Sequence, residues 1–209
     1  MKSSFNPFLR IATLTAATTV FLSHQASAAD YSWGGGSLDW TDTSASGWNG
    51  GPPAAGDNAT INSGIVTLTT NNVVNPLNSI TIGGTGKLTQ VAGNSWSQLN
   101  NLTLQGGTIE SVSTTLSTFG CYWMPGTVTV SGASASTIST VGSGVQFINM
   151  GDLGSSTGAT TFNVADATSG EDLLVSTRLG NEPFGNAAGL VKTGAGTMTL
   201  TANNIYSGG

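Results

Sequence analysis

Glu171 and Asp172, with Arg178 and Glu182 close behind, form the only local gathering of acids with a base. Two carboxylates held at a fixed separation can cleave a glycosidic bond, one as general acid and the other as base or nucleophile. Neighbours along a strand point to opposite faces, so Glu171 and Asp172 do not converge by themselves, and a solvated loop is expected instead. Gly154-Ser-Ser-Thr-Gly158 has the Gly-x-Ser-x-Gly spacing of a nucleophile elbow, which requires a strand-to-helix turn and a histidine base. The one histidine, His24, falls in the leader described below. Gly83-Gly-Thr-Gly-Lys-Leu-Thr89 is reminiscent of a phosphate loop. However, Thr81 stands where that loop needs its first glycine, and no helical pattern follows, so a turn between two strands is expected. For metals the donors are missing, with one cysteine (Cys121), no histidine beyond the leader and no Asp-rich glycine repeat. No catalytic residue, metal or cofactor is nominated.

Aromatic residues offer a second kind of chemistry. In Phe119-Gly-Cys-Tyr-Trp-Met-Pro125, Tyr122 and Trp123 could stack on sugar rings or a partner if exposed. The competing reading buries the segment as a lid or insertion, with Cys121 acting as a small apolar side chain, and burial is the expectation. Tyr31, Trp33, Trp40 and Trp48, followed by Gly50-Gly-Pro-Pro53, are expected to seal one end of the fold, with Asp57 organising a turn there.

The elements that would position these groups are short. Apolar-Thr-apolar runs recur as Ile80-Thr-Ile82, Leu102-Thr-Leu104, Val128-Thr-Val130 and Met198-Thr-Leu200, bounded by Gly, Asn or Ser. Period-2 alternation over three to five residues predicts strands, and no dozen-residue window has helical periodicity. The runs imitate one another at a spacing of about 22 residues, too short a unit to bury its own apolar face, as in stacked solenoids. A right-handed parallel β-helix of roughly eight coils is therefore expected, with an antiparallel β-sandwich as the alternative.

Charge and leader narrow the setting. Lys2 and Arg10 precede an uncharged run from Ile11 to Leu22, and Ala26-Ser27-Ala28 supplies a small-x-small cleavage pattern, so residues 1–28 read as a secretory signal peptide. Its removal leaves Lys87, Arg178 and Lys192 against ten acidic residues, a formal charge of −7. Such a chain is a poor partner for nucleic acid. Charged residues make up 7% of the sequence against about a quarter in ordinary domains, so hydroxyl and amide side chains must cover the surface. The expected organisation is a leader (1–28), an aromatic cap (29–58), β-helix coils (59–188) and a distinct C-terminal unit (189–209).

That unit reads Gly189-Leu-Val-Lys-Thr-Gly-Ala-Gly-Thr-Met-Thr-Leu-Thr-Ala-Asn-Asn-Ile-Tyr-Ser-Gly-Gly209. It resembles the autotransporter-associated β-strand repeat of bacterial passenger domains. Gly189, Leu190, Lys192, Gly194, Gly196, Thr197, Leu200, Asn204, Tyr206 and Gly208 fall in register with the repeat, while Met198 replaces its usual Leu and Ala202 its common Gly. The family repeat continues through a further strand, so the unit reads as truncated and the chain as a fragment. The resemblance covers about a tenth of the chain and implies a non-enzymatic, exported β-helical stalk for surface display or adhesion. Implied partners are glycans or a neighbouring surface, and outer-membrane export machinery or a C-terminal barrel outside this chain. The alternatives are a β-helix polysaccharide lyase or hydrolase and a carbohydrate-binding module using exposed aromatics.

Overall fold

The computed structural model describes residues 27–70, 74, 77–91, 96–112, 122–142, 147–151, 158–167, 170–181 and 186–208. The bulk of the leader (residues 1–26), Cys121, Gly154 to Thr157 and Glu182 lie outside the described residues. In chain order the strands are β1 (Asp30–Ser32), β2 (Ser37–Asp39), β3 (Asn58–Ile61), β4 (Ile65–Leu68), β5 (Ser79–Gly83) and β6 (Lys87–Gln90). Then follow β7 (Ser97–Gln98), β8 (Leu102–Gln105), β9 (Thr108–Val112), β10 (Tyr122–Met124), β11 (Thr127–Val130) and β12 (Ser136–Val141). The last six are β13 (Phe147–Met150), β14 (Ala159–Val164), β15 (Leu173–Val175), β16 (Arg178–Gly180), β17 (Gly189–Thr193) and β18 (Met198–Leu200).

Among the described residues every pairing between named strands is parallel, and the strands sort into three stacked sheets, the first two visited by all seven coils and the third only by the third to sixth. The first runs β1-β3-β5-β8-β11-β14-β17, the second β2-β4-β6-β9-β12-β15-β18 and the third β7-β10-β13-β16. The chain is a parallel β-helix, and the sandwich alternative, which needs antiparallel neighbours, is excluded. Coil length is where sequence and structure part. Asp30 pairs with Asn58, Asn58 with Ser79, Ile80 with Leu102, Thr103 with Thr129, Thr127 with Thr161 and Ala159 with Gly189. Successive coils thus take 28, 21, 22, 26, 34 and 30 residues, giving seven rungs among the described residues in place of eight even ones. The longer steps have more residues between strands, and connections can lengthen without disturbing strand register.

Period-2 alternation sends one column of each sheet inward. In the second sheet Leu38, Val66, Leu88, Ile109, Ile138, Val175 and Leu200 stack in register through all seven coils. In the first sheet Ala59, Ile80, Leu102, Val128 and Phe162 do the same, each almost wholly buried. Each such side chain contributes about 1.5–3 kcal/mol by leaving water. Facing out from the same sheet is a neutral column of Ser32, Thr60, Thr81, Thr103, Thr129, Asn163 and Thr193. Short hydroxyl and amide groups stack there without the repulsion that like charges would bring.

The segment expected to be a separate cap already contains the first coil, since β1 and β2 pair with β3 and β4. What covers that coil is the chain that follows it. Gly34 N–H donates to Gly47 O and Gly36 N–H to Ser46 O, laying residues 42–49 over the turn between β1 and β2. Trp48 is thereby held edge-to-face against Trp33 (centroids 5.0 Å apart) and Trp40 (4.8 Å), and all three rings are buried. Asp57 does organise a turn: its Oδ2 accepts from Ala54 N and its Oδ1 from Ala29 N.

Candidate functional site

Three surfaces could do chemistry: the acid/base grouping, the aromatic segment and the final coil. Asp172 is 2% exposed, and its carboxylate is committed to backbone. Oδ1 accepts from Ala167 N at 3.0 Å and Oδ2 from Thr197 N at 2.8 Å, the latter one coil onward. Arg178, on β16, donates through Nε to Asn203 O at 3.1 Å, again on the next coil. Asp172 and Arg178 of this grouping thus fasten the sixth coil to the seventh. The glycine-rich run at Gly83 to Thr89 is a strand–turn–strand, with Gly86 N–H closing back on Gly83 O between β5 and β6.

Tyr122 and Trp123 are not a lid. They form β10, a strand of the third sheet flanked by β7 and β13. Both rings are buried, at 0% and 1% exposure. The Tyr122 hydroxyl donates to Glu110 O at 3.3 Å, and the Trp123 indole N–H to Gly151 O. The exposed-platform reading is corrected accordingly, because neither ring has a face to offer a sugar. The run Tyr-Trp-Met lacks alternation because both of its faces are covered, which is why its strand was missed in the sequence.

Another feature escaped the sequence altogether. At the inner position beside the apolar column, the second sheet changes from Leu68 to Gln90 and then Ser111 and Thr140. Gln90 is fully buried and both its amide atoms lack a hydrogen-bond partner among the described residues, as does the Ser111 hydroxyl. Buried amides of this kind are costly, so the interior of the third and fourth coils is the least well satisfied part of the stack.

In the final coil the ten residues that the sequence led one to expect as a repeat motif have definable places. Leu190, Leu200 and Tyr206 pack against the core, each partly buried. Gly194 has φ +76°, and a β-carbon on Gly194 or Gly196 would collide with the Val164 or Ala165 carbonyl of the coil beneath. Thr197 N is the donor to Asp172, and Asn204 Oδ1 accepts from Leu179 N at 2.8 Å. Ile205 N–H donates to Leu179 O and Gly208 N–H to Ala188 O, so the segment after β18 returns to where β17 set out, beside Gly189. Lys192 is the anomaly. It takes the register position over Phe162, in an otherwise apolar column, and its Nζ turns aside to Thr193 O and Gly194 O.

One groove of about 370 Å³ opens where the third sheet turns into the first, lined by Leu77, Asn78, Asn100, Asn101, Pro125 and Gly126. Its amides belong to a ladder along that corner. Asn58 Nδ2 donates to Asp30, Asn78 Nδ2 to Asn58 Oδ1 and Asn101 Nδ2 to Asn78 O, with Asn101 in the left-handed region at φ 45°. Among the described residues no group of three or more His, Cys, Asp or Glu is arranged to hold a metal, and no helix is long and apolar enough to cross a membrane. No protein-family model, curated protein or solved structure matches the chain.

Proposed function

We propose that this chain is an exported, non-enzymatic β-helical passenger or stalk that serves surface display or adhesion. The observation that carries the reading is the final coil. Each residue shared with the autotransporter-associated repeat has a place in building one coil onto the last, and a repeat spent on stacking suits a spacer more than a catalyst. The neutral outer column and the leader-like N-terminus support it as well. The acid pair that would serve a lyase or hydrolase has Asp172 bound to two backbone amides. Where a glycan or neighbouring surface makes contact, the amide-lined groove at Asn78, Asn100 and Asn101 is the better candidate than the buried rings of Tyr122 and Trp123.

The test is to express the chain with its leader and any downstream sequence of its gene in a Gram-negative host. Protease shaving of intact cells should remove it, and displaying cells should adhere to glycan-coated surfaces more than cells carrying Asn100→Ala. A chain retained in the cytoplasm, or reducing sugar released from polysaccharides by the purified protein, would overturn the reading.

A further inference from the structure

The Ala28–Ala29 junction, read as a processing site from sequence, coincides with the point at which the chain first becomes part of the stack. Ser27 and Ala28 are exposed, and Ser27 Oγ bonds only locally, to Ala28 O at 3.5 Å, among the described residues. At Ala29 both backbone groups engage the second coil: its N–H donates to Asp57 Oδ1 at 3.0 Å, and its carbonyl accepts from Asn58 N at 2.8 Å. The Asp57 carboxylate is itself fixed, because its other oxygen accepts from Ala54 N at 2.8 Å.

We infer that Asp57 is a preformed receptor for the α-ammonium of Ala29, released when a leader-cleaving protease hydrolyses the Ala28–Ala29 bond. The inference rests on the export reading above. Hydrolysis breaks the C–N bond; water supplies the oxygen that completes the Ala28 carboxylate, and the Ala29 nitrogen gains protons to become an ammonium. The neutral amide hydrogen bond to Asp57 then becomes an ion pair at the same place, with no rearrangement of the first coil. Charge-assisted bonds of this sort are stronger than neutral ones. The other charged group beside Ala29 is Asp30, whose carboxylate accepts from Asn58 Nδ2. The described cations, Lys87, Arg178 and Lys192, belong to the third, sixth and seventh coils, so none competes for Asp57. Processing thus ties the start of the first coil to the second.

An α-amino group ordinarily titrates at about 7.7–8.0. An ion pair with Asp57 raises that value in the folded protein. Its stabilisation is then complete below the ordinary range and lost as pH rises through the raised value. The experiment compares four full-length products: wild type and Asp57→Asn, each exported and processed or retained with its leader intact. Mass spectrometry of the exported wild type should give Ala29 as the first residue. In the processed pair, Asp57→Asn should lower Tm by about 2–4 °C at pH 7, and the gap should shrink between pH 7 and about pH 10 as the amine loses its proton. In the unprocessed pair, where the nitrogen is an amide, any gap should be flat across that window. A leader that is never removed sinks both this inference and the export reading. Cleavage elsewhere, or a gap equally flat in both pairs, sinks the inference and leaves the export reading standing.

Discussion

The first coil and the seventh are finished in opposite ways among the described residues. A β-helix exposes an unpaired strand edge and an apolar interior at each terminus, which invites association with other chains. At the first coil, residues 42–49 fold back, and Trp33, Trp40 and Trp48 close the interior with mutually edge-on rings. At the seventh coil nothing comparable lies over β17 and β18 among the described residues. Val191 and Ile205 are 44% and 41% exposed, and Leu190, Met198 and Leu200 are only half-covered. In place of rings the last coil has a charge, Lys192, at an inward register position above Phe162. In this 209-residue chain no further strand pairs with β17 among the described residues, and a charge at that rim discourages addition of a strand from another molecule, while its aliphatic stem can cover some of the apolar surface below. Packed rings close the first coil, whereas the seventh carries an ammonium in line with the apolar column.

The largest expected effect tests the seal. Trp48→Ala removes the ring shared by both stacking pairs and should cost about 3–5 kcal/mol in urea unfolding, whereas Tyr206→Ala at the open end should cost under half as much. Equal losses would erase the distinction between the ends. Lys192→Leu is expected to act less on stability than on association. It continues the apolar column, should raise the unfolding free energy by about 1 kcal/mol or less, and should produce concentration-dependent dimers in sedimentation velocity that wild type lacks at the same concentration. A strictly monomeric variant would show that Lys192 guards nothing. The smallest effect refines the sealed end. Burial pushes the Asp39 carboxyl up, but hydrogen bonds from the Thr41 hydroxyl, the Thr69 hydroxyl of the next coil and Thr41 N outweigh it, holding its pKa below the usual carboxylate value. A depressed folded value means stability present above the unfolded pKa and lost as pH falls through the folded one. Asp39→Asn should therefore lower Tm slightly at neutral pH, with the difference from wild type vanishing toward pH 3. A difference that persists in acid would assign the contact to geometry and not to charge.

What the sequence disclosed and what it withheld divide along physical lines. Ile80-Thr-Ile82, Leu102-Thr-Leu104 and Val128-Thr-Val130 proclaimed strands with one apolar face, and they now lie on one another in register. Alternation reports which side of a strand is buried, so the core columns and the hydroxyl exterior could be read directly. It says nothing about how much chain a turn consumes, and so the step of 34 residues between Thr127 and Thr161 was invisible. Two residues are too few to display a period, which hid β7, and Tyr122-Trp123-Met124 has no polar face to reveal one. Gln90 and Lys192 broke the pattern at inward positions, where a polar residue in sequence suggests the opposite face. Of the candidate sites, the Asp57 turn was legible from its glycine and asparagine neighbours. The use of Asp172 as an inter-coil fastener was not, because its partner Thr197 N lies 25 residues away.

The column from Ser32 to Thr193 has a bearing on where such a molecule can work. Among the described residues a single ion pair, Lys87 with Glu110 at 2.8 Å, joins one coil to another through opposite charges. Dissolved salt weakens attractions between exposed charges and hardly touches neutral hydroxyls or buried hydrocarbon. The stack should hold together from dilute fresh water to brine, because few of the contacts that join its described coils are ionic.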